Sequence, residues 1–138
     1  MTDHMTSIVR TTAAPAAIGP YSQAVIANGM VWCSGQVAIN PSTGTLVPGD
    51  VTDQTIQVLA NLAAVLAAAG CDARDVVKCT VYLRSMDDFA AMNAEYAKMF
   101  TQDPPARATV EASRLPKDAL VEIDCVALIG HARRLSHR

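Results

Sequence analysis

Aromatic residues are scarce in this sequence, and it has no excess of basic charge. Its 138 residues include one tryptophan, three tyrosines and two phenylalanines, and its formal net charge is −2. Surfaces dedicated to nucleic acids usually combine a basic face with aromatic rings that stack on bases. The composition therefore argues against a protein whose main partner is RNA or DNA.

Paired cysteines and clustered histidines are also missing. The four cysteines stand alone, without the spacing of a zinc or redox motif and without the density of a secreted disulfide scaffold: Cys33, Cys71, Cys79 and Cys125. The three histidines lie near the two ends of the chain: His4, His131 and His137. We therefore expect reduced, buried thiols and no metal site, because no matched set of ligands is present.

Long hydrophobic runs are absent as well. No apolar stretch reaches the roughly 18 residues of a membrane span, and the segment 1–15 lacks the basic start and apolar core of a signal peptide. Apolar residues make up 51% of the chain, enough for the core of one domain of this length. We expect a single soluble, cytoplasmic domain over 1–138, with a frayed terminus at 1–6 and a basic, disordered tail at 131–138.

Short alternating runs predict a β-sheet. A first strand is expected at 7–10. The runs 21–27 and 30–38 are joined by Asn28-Gly29, a dipeptide typical of type I′ turns, and so predict a β-hairpin. Further strands are expected at 75–84, 106–111 and 119–128.

Two helices are expected between these strands. The first begins at Asp50 or Thr52, either of which can cap it, and ends at Gly70. Its predicted apolar stripe contains six residues: Ile56, Leu59, Ala60, Ala63, Leu66 and Ala67. The second helix begins at Asp87. Its predicted inward stripe is Phe89, Met92 or Asn93, Tyr96 and Phe100.

An arginine interrupts the small, apolar run 104–111. An ion in a half-buried strand costs several kcal/mol (~2–5) unless it is paired or binds a ligand. In a strand, Arg107 and Thr109 share one face, and Glu122 and Asp124 share one face of the last strand. If both strands line one pocket, Arg107 can bind a carboxylate while Glu122 directs a water. A structural ion pair is the alternative, and the spacing alone does not choose between the two.

Four motifs indicate a family. They are Ile18-Gly19-Pro20-Tyr21-Ser22-Gln23-Ala24, Cys33-Ser34-Gly35-Gln36, Pro105-Ala106-Arg107-Ala108-Thr109-Val110 and Leu115-Pro116-Lys117-Asp118-Ala119-Leu120-Val121-Glu122-Ile123. In these motifs, and from about Ile8 to Ile129, the chain resembles the RidA or YjgF family of reactive intermediate deaminases.

This resemblance implies a fold, an assembly and an activity. The fold would be a single-domain α+β structure of the chorismate-mutase-like kind, with a mixed sheet and two helices packed on one face. The assembly would be a homotrimer with active sites in the clefts between subunits. The reaction would be hydrolysis of 2-imino acids or enamines, such as 2-aminoacrylate, to 2-oxo acids and ammonia, without a cofactor.

The resemblance also assigns roles to residues. Arg107 matches the arginine that holds the substrate carboxylate, and Glu122 matches the acid that positions the attacking water. Tyr21, Ser34 beside Gly35, and Asn93 match further pocket residues. Asp124 is interpreted as structural.

Two departures from the family pattern concern the strand 106–111 and the link that precedes it. Thr109 stands where many members have a cysteine, which excludes a nucleophilic thiol there and favours attack by water. A role for the backbone carbonyl of Thr109 does not depend on a thiol and is retained. The link 101–105 is shorter than in some relatives, and substrate preference is expected to depend on it.

Two other functions compete with deamination. A non-catalytic trimeric scaffold would bind 2-oxo acids through Arg107 without turnover. An endoribonuclease-type translation inhibitor would need basic contacts, for which the sequence supplies only the arginines of the tail: Arg133, Arg134 and Arg138.

Overall fold

One mixed sheet of six strands organises the molecule. The computed structural model describes residues 5–130, so the predictions for 1–4 and for the tail 131–138 lie outside the described residues. The strands are β1 (Thr6–Val9), β2 (Ala24–Ala27), β3 (Met30–Gln36), β4 (Val76–Leu83), β5 (Ala106–Glu111) and β6 (Val121–Leu128), and the helices are α1 (Val51–Ala68) and α2 (Phe89–Met99). The strand order is β1-β2-β3-β6-β4-β5, and only the β4–β5 pair is parallel among these strands. The predicted α+β class is confirmed.

The predicted hairpin is confirmed at its turn. Asn28 and Gly29 have φ angles of 50° and 72°, the two positive values that a type I′ turn requires. Ala27 pairs directly with Met30 across the turn. The turn therefore fixes the register between β2 and β3, and with it the face on which each side chain of β3 lies.

The predicted ends of α1 are also confirmed. The Asp50 side chain accepts a hydrogen bond from the Asp53 backbone N–H, and the Asp53 side chain accepts one from the Asp50 N–H. This reciprocal capping satisfies two donors that the helix leaves unpaired. After the helix, Gly70 adopts a φ of 80°, a left-handed conformation that glycine adopts without strain.

The predicted apolar stripe of α1 is confirmed at Leu59 and Leu66 and wrong at its other positions. Ile56 is 51% exposed, whereas Leu62, which the prediction omitted, is 1% exposed. The buried face carries larger branched side chains together with three polar ones: Val51, Gln54, Thr55, Val58, Leu59, Asn61, Leu62, Val65 and Leu66. Ala60, Ala63 and Ala67 lie on the exposed side together with Ile56, so the spacing of apolar residues did not identify the buried face.

Hydrogen bonds explain why Asn61 and Gln54 lie on that buried face. The Asn61 amide nitrogen donates to the carbonyl oxygens of Val37 (3.2 Å) and Ile39 (2.9 Å), and the Gln54 carbonyl oxygen accepts from the Leu120 N–H (2.8 Å). These bonds satisfy backbone groups that are not paired in the sheet. They also tie α1 to the segments that follow β3 and precede β6.

Helix α1 has the length and mean hydropathy, 1.2, of a short membrane span. Half of the helix is buried within the protein, however, where it packs against β3 and β6. It is therefore the core helix of this domain.

Helix α2 begins differently from the prediction. Ser85, not Asp87, caps the turn before it, because the Ser85 hydroxyl accepts a hydrogen bond from the Asp87 N–H (3.2 Å). The inward positions of Met92, Tyr96 and Phe100 are confirmed, since all three are buried. The predicted inward position of Phe89 is wrong, since Phe89 is 37% exposed.

The two faces of the sheet differ. The helices cover one face, where the predicted alternation is confirmed: Cys79, Val81 and Leu83 are buried. The described residues leave the other face open, with Trp32 52% exposed and Val110 43% exposed. An apolar sheet face in this state is typical of a surface that meets another chain.

The placement of α1 makes a stability prediction. Leu62→Ala should lower the free energy of unfolding by about 2–5 kcal/mol, because it opens a cavity in the core. Ile56→Ala, in the same helix but exposed, should change it by less than about 0.5 kcal/mol. Urea denaturation of both variants at one protein concentration measures the difference. Equal losses would show that the assigned buried face is wrong.

Candidate active site

Arg107 lies on the covered face, on the edge strand β5. Its Nη1 donates to the Asn93 side-chain oxygen of α2 at 2.7 Å. Within residues 5–130 no carboxylate forms an ion pair with Arg107. A guanidinium carries five N–H donors, so most of this fork remains available to a ligand.

Two aromatic rings of α2 fix the plane of this arginine. The Arg107 guanidinium carbon is 4.7 Å from the centroid of the Tyr96 ring and 5.5 Å from that of Phe89. Stacking of a planar cation on rings restricts its orientation and adds about 0.5–2 kcal/mol. Sequence reasoning identified Asn93 but missed the stacking role of these rings. Their spacing from Asn93 along the helix, four residues before and three after, would have placed all three on one face.

Thr109 follows Arg107 on the same face and is half-buried. Because β5 pairs only with β4, alternate backbone N–H and C=O groups of β5 point away from the sheet without a strand partner. Donors and acceptors of the main chain are therefore available beside Arg107.

Glu122 lies on the opposite face of the same sheet. It lines a cavity of about 440 Å³ together with Tyr21, Ser34 and Gly35. Gly35 lets Glu122 approach closely, because a Cβ at that position would lie 2.9 Å from a Glu122 carboxylate oxygen and the glutamate side chain would have to shift. The motif glycine is thus explained by the close approach of a carboxylate to the main chain.

Local hydrogen bonds hold the rest of this cavity. The Tyr21 hydroxyl accepts from the Ile18 N–H (3.3 Å), and the Ser34 hydroxyl donates to the Ser22 carbonyl (2.5 Å). The buried Gln23 side chain bonds to the backbone of Thr11 and Pro15, which anchors the loop in front of the cavity. Gln23 lies in the Gly-Pro-Tyr motif, but nothing in the sequence predicted that its side chain holds this loop.

The electrostatics of the cavity favour a proton on its carboxylate. Burial, and secondly the negative charge of Asp124, raise the pKa of Glu122 above its ordinary value. Asp124 in turn accepts a hydrogen bond from the Tyr82 hydroxyl at 3.1 Å. Glu122 is therefore placed to exchange protons at a higher pH than an exposed glutamate.

The predicted convergence of Arg107 and Glu122 in one pocket is wrong for a single chain. Strand β4 separates β5 from β6, with Cys79 opposite Arg107 and Tyr82 opposite Glu122. Positions 79 and 82 of one strand project to opposite faces because side chains alternate. One chain therefore carries two half-sites: the arginine half-site of Arg107, Asn93 and Thr109, and the carboxylate half-site of Glu122, Tyr21, Ser34 and Gly35.

Charged and hydrogen-bonding side chains supply the chemistry of both half-sites. No group of three or more His, Cys, Asp or Glu side chains in the described part of the chain could hold a metal ion. The chemistry that these residues can supply is binding of an anion, hydrogen bonding and proton transfer.

Comparison with known proteins identifies the family. The endoribonuclease L-PSP family model matches residues 11–129. A RutC family protein of Pyrococcus horikoshii is 52% identical over 123 residues, which cover 89% of this chain and 98% of that protein. The 2-iminobutanoate/2-iminopropanoate deaminase of Mus musculus is 48% identical over 130 residues, 91% of this chain and 96% of the enzyme.

A solved structure agrees with this assignment. The structure of E. coli TdcF with bound serine has a TM-score of 0.86 and 40% sequence identity, and covers 90% of this chain and 99% of its own. The chain belongs to the endoribonuclease L-PSP family, which is the RidA or YjgF family that its motifs resemble.

Proposed function

We propose that this protein hydrolyses 2-imino acids and their enamine tautomers to 2-oxo acids and ammonia, in sites shared between the subunits of a homotrimer. The observation that carries the proposal is the separation of the two half-sites: an arginine fork that has no carboxylate partner among residues 5–130, and a carboxylate beside an open cavity. Relatives 44–48% identical to this chain are named 2-iminobutanoate/2-iminopropanoate deaminase.

A three-fold assembly accounts for two half-sites on opposite faces. In a ring with cyclic symmetry, each interface joins two different surfaces of the chain. The edge strand β5 of one subunit can then meet the carboxylate half-site of the next. The exposed apolar residues Trp32 and Val110 on the open face would be covered in such a ring.

Substrate binding rests on Arg107. A 2-imino acid carries a carboxylate next to the reacting carbon, and a guanidinium binds a carboxylate through two parallel hydrogen bonds. Asn93 and the rings of Tyr96 and Phe89 hold the fork before the substrate arrives, which lowers the entropic cost of binding. Outward main-chain groups near Thr109 hold the iminium nitrogen.

Water attack rests on Glu122. Its carboxylate takes a proton from the water as the water oxygen bonds to the iminium carbon, which gives a carbinolamine. Glu122 returns the proton to the nitrogen and then takes the proton of the carbinolamine hydroxyl as the C=O bond forms and the C–N bond breaks. The departing ammonia carries that proton away as ammonium, and the 2-oxo acid is released. Free imines already hydrolyse in water, so orientation of the two reactants with modest acid–base help is sufficient. The reaction needs no cofactor.

The raised pKa of Glu122 suits the enamine form as well. An enamine must gain a proton on carbon before water can attack. A glutamate that keeps its proton at higher pH can donate it, and the resulting carboxylate can then activate water. We expect small aliphatic substrates, because the cavity beside Glu122 is about 440 Å³ and its lining includes Tyr21 and Pro116.

The two competing functions have less support. A binding protein without turnover would use Arg107 but would not need the Glu122 carboxylate to lie beside Gly35 in a cavity. A ribonuclease would need a basic face, and the arginines that the sequence offers for it lie in the tail, outside the described residues. We place the enzyme in the cytoplasm, where such imines arise.

Replacement of Arg107 tests the binding role. Arg107→Ala should reduce kcat/KM for imine hydrolysis by about 100-fold or more, as expected when a charged hydrogen-bond partner worth about 3 kcal/mol is removed. The kcat/KM of Arg107→Lys should fall between those of the wild type and Arg107→Ala, because lysine keeps the positive charge but cannot form two parallel hydrogen bonds. The imine is generated by an amino-acid oxidase, and the assay measures its loss in competition with semicarbazide.

The control for this experiment is Arg74→Ala. Arg74 is an exposed surface arginine paired with Asp72 at 2.8 Å, and its removal should leave the rate unchanged. Full activity of Arg107→Ala would remove Arg107 from the mechanism. Binding of 2-oxo acids by the wild type without any acceleration of imine loss would favour the binding protein instead.

The neighbour of Glu122 should control the pH dependence. The negative charge of Asp124 disfavours the ionised form of Glu122, so Asp124→Asn should lower the Glu122 pKa. Because the carboxylate form activates water, the acid limb of kcat/KM should move to lower pH. Rates are compared across pH after subtraction of the uncatalysed rate. An acid limb that does not move would mean that Glu122 is not the titrating group.

A further inference from the structure

Three cysteines form a row across the centre of the sheet. Cys125 of β6 lies directly opposite Cys33 of β3 on one side and opposite Cys79 of β4 on the other. All three are buried on the helix-covered face. Isolated in the sequence, they become neighbours because β6 is inserted between β3 and β4. We name this set the thiol row. It takes no part in the proposed deamination.

The spacing within the thiol row fits a disulfide. Residues directly opposite each other in an antiparallel pair have Cα atoms about 4.5–5.5 Å apart. A disulfide requires a Cα separation of about 4.4–6.8 Å with both side chains on one face. Both pairs that include Cys125 meet these conditions without a change of register.

Side-chain contacts distinguish the two pairs. The neighbouring Cys125 thiol lowers the pKa of Cys33 despite the burial of Cys33. The Cys79 thiol instead neighbours the Tyr96 hydroxyl. The same contact with Cys33, and secondly burial, raise the pKa of Cys125. Exposure points to the same pair, because Cys33 (7%) and Cys125 (3%) retain some exposed surface whereas Cys79 has none (0%).

We infer that Cys33 and Cys125 are an oxidisable dithiol, which small peroxides convert into a disulfide between β3 and β6. The Cys33 thiolate attacks one oxygen of hydrogen peroxide, the O–O bond breaks, and a sulfenic acid and hydroxide form. The Cys125 sulfur then attacks the Cys33 sulfur, the S–O bond breaks, and its thiol proton leaves with the departing hydroxyl as water. Two thiols and one peroxide thus yield one disulfide and two waters.

Burial determines which oxidants can react. Cys33 is 7% exposed and Cys125 is 3% exposed, so a small uncharged peroxide can reach the pair more readily than a charged or bulky disulfide. The adjacent thiol traps the sulfenic acid before it is oxidised further. The bond forms within one chain and does not depend on the assembly or on the deaminase reaction.

The test is oxidation of the folded wild type with hydrogen peroxide, followed by alkylation of remaining thiols under denaturing conditions. We expect the mass of the chain to fall by two hydrogen atoms, and two of its four cysteines, Cys71 and Cys79, to remain alkylatable. Digestion with trypsin and an Asp-directed protease separates the four cysteines. The linked peptides should contain Cys33 and Cys125, and a dithiol reductant should release them.

Variants define the outcomes. Cys79→Ala is the matched control and should still lose two hydrogen atoms, whereas Cys33→Ala and Cys125→Ala should not. A disulfide between Cys79 and Cys125, or addition of oxygen without loss of hydrogen, would overturn the assignment. The peptide map of the wild type gives the same answer without any variant, so poor folding of a variant does not leave the inference untested.

Discussion

Alternation of side chains across a pleated sheet is the constraint on which the rest of this structure depends. Arg107 and Glu122 belong to strands that flank β4, but their partners on β4 are three residues apart and face opposite ways. The sheet itself thus forbids contact between the anion-binding group and the acid of one chain. A shared site between subunits is a direct consequence, if both groups act on one substrate.

Each half-site is rigid for a different reason. The guanidinium of Arg107 is held by the Asn93 amide and by ring stacking, so it is oriented before a ligand binds. Glu122 has room for its carboxylate against the main chain because Gly35 has no side chain. Burial there, and secondly the charge of Asp124, raise the pKa of Glu122 above that of an exposed glutamate. Preorganisation of this kind is sufficient for a reaction that proceeds in water unaided.

Local chemistry made much of the fold predictable from the sequence. The two positive φ angles of Asn28-Gly29 and the capping of α1 by Asp50 are decided by residues within a turn of each other. The face of α1 that packs on the sheet is not decided locally. Asn61 is buried because distant carbonyl oxygens after β3 need a donor, and no periodicity within the helix contains that information.

The candidate site divides in the same way. The family resemblance identified Arg107, Glu122 and Asn93, and alternation assigned Arg107 and Glu122 each to a face of its own strand. Which faces coincide depends on strand order, and the insertion of β6 between β3 and β4 is a long-range property. The same insertion brings Cys33, Cys125 and Cys79 together. The thiol row could therefore not be predicted from the sequence either.

Hybrid trimers test the shared site most directly. Subunits carrying Arg107→Ala and subunits carrying Glu122→Gln are co-expressed with different affinity tags, and assemblies containing both are purified. If each site uses Arg107 of one subunit and Glu122 of the next, every mixed trimer has one intact site, and its activity should be about one third of wild type. The two parent homotrimers should be inactive. Mixed assemblies as inactive as their parents would contradict the account.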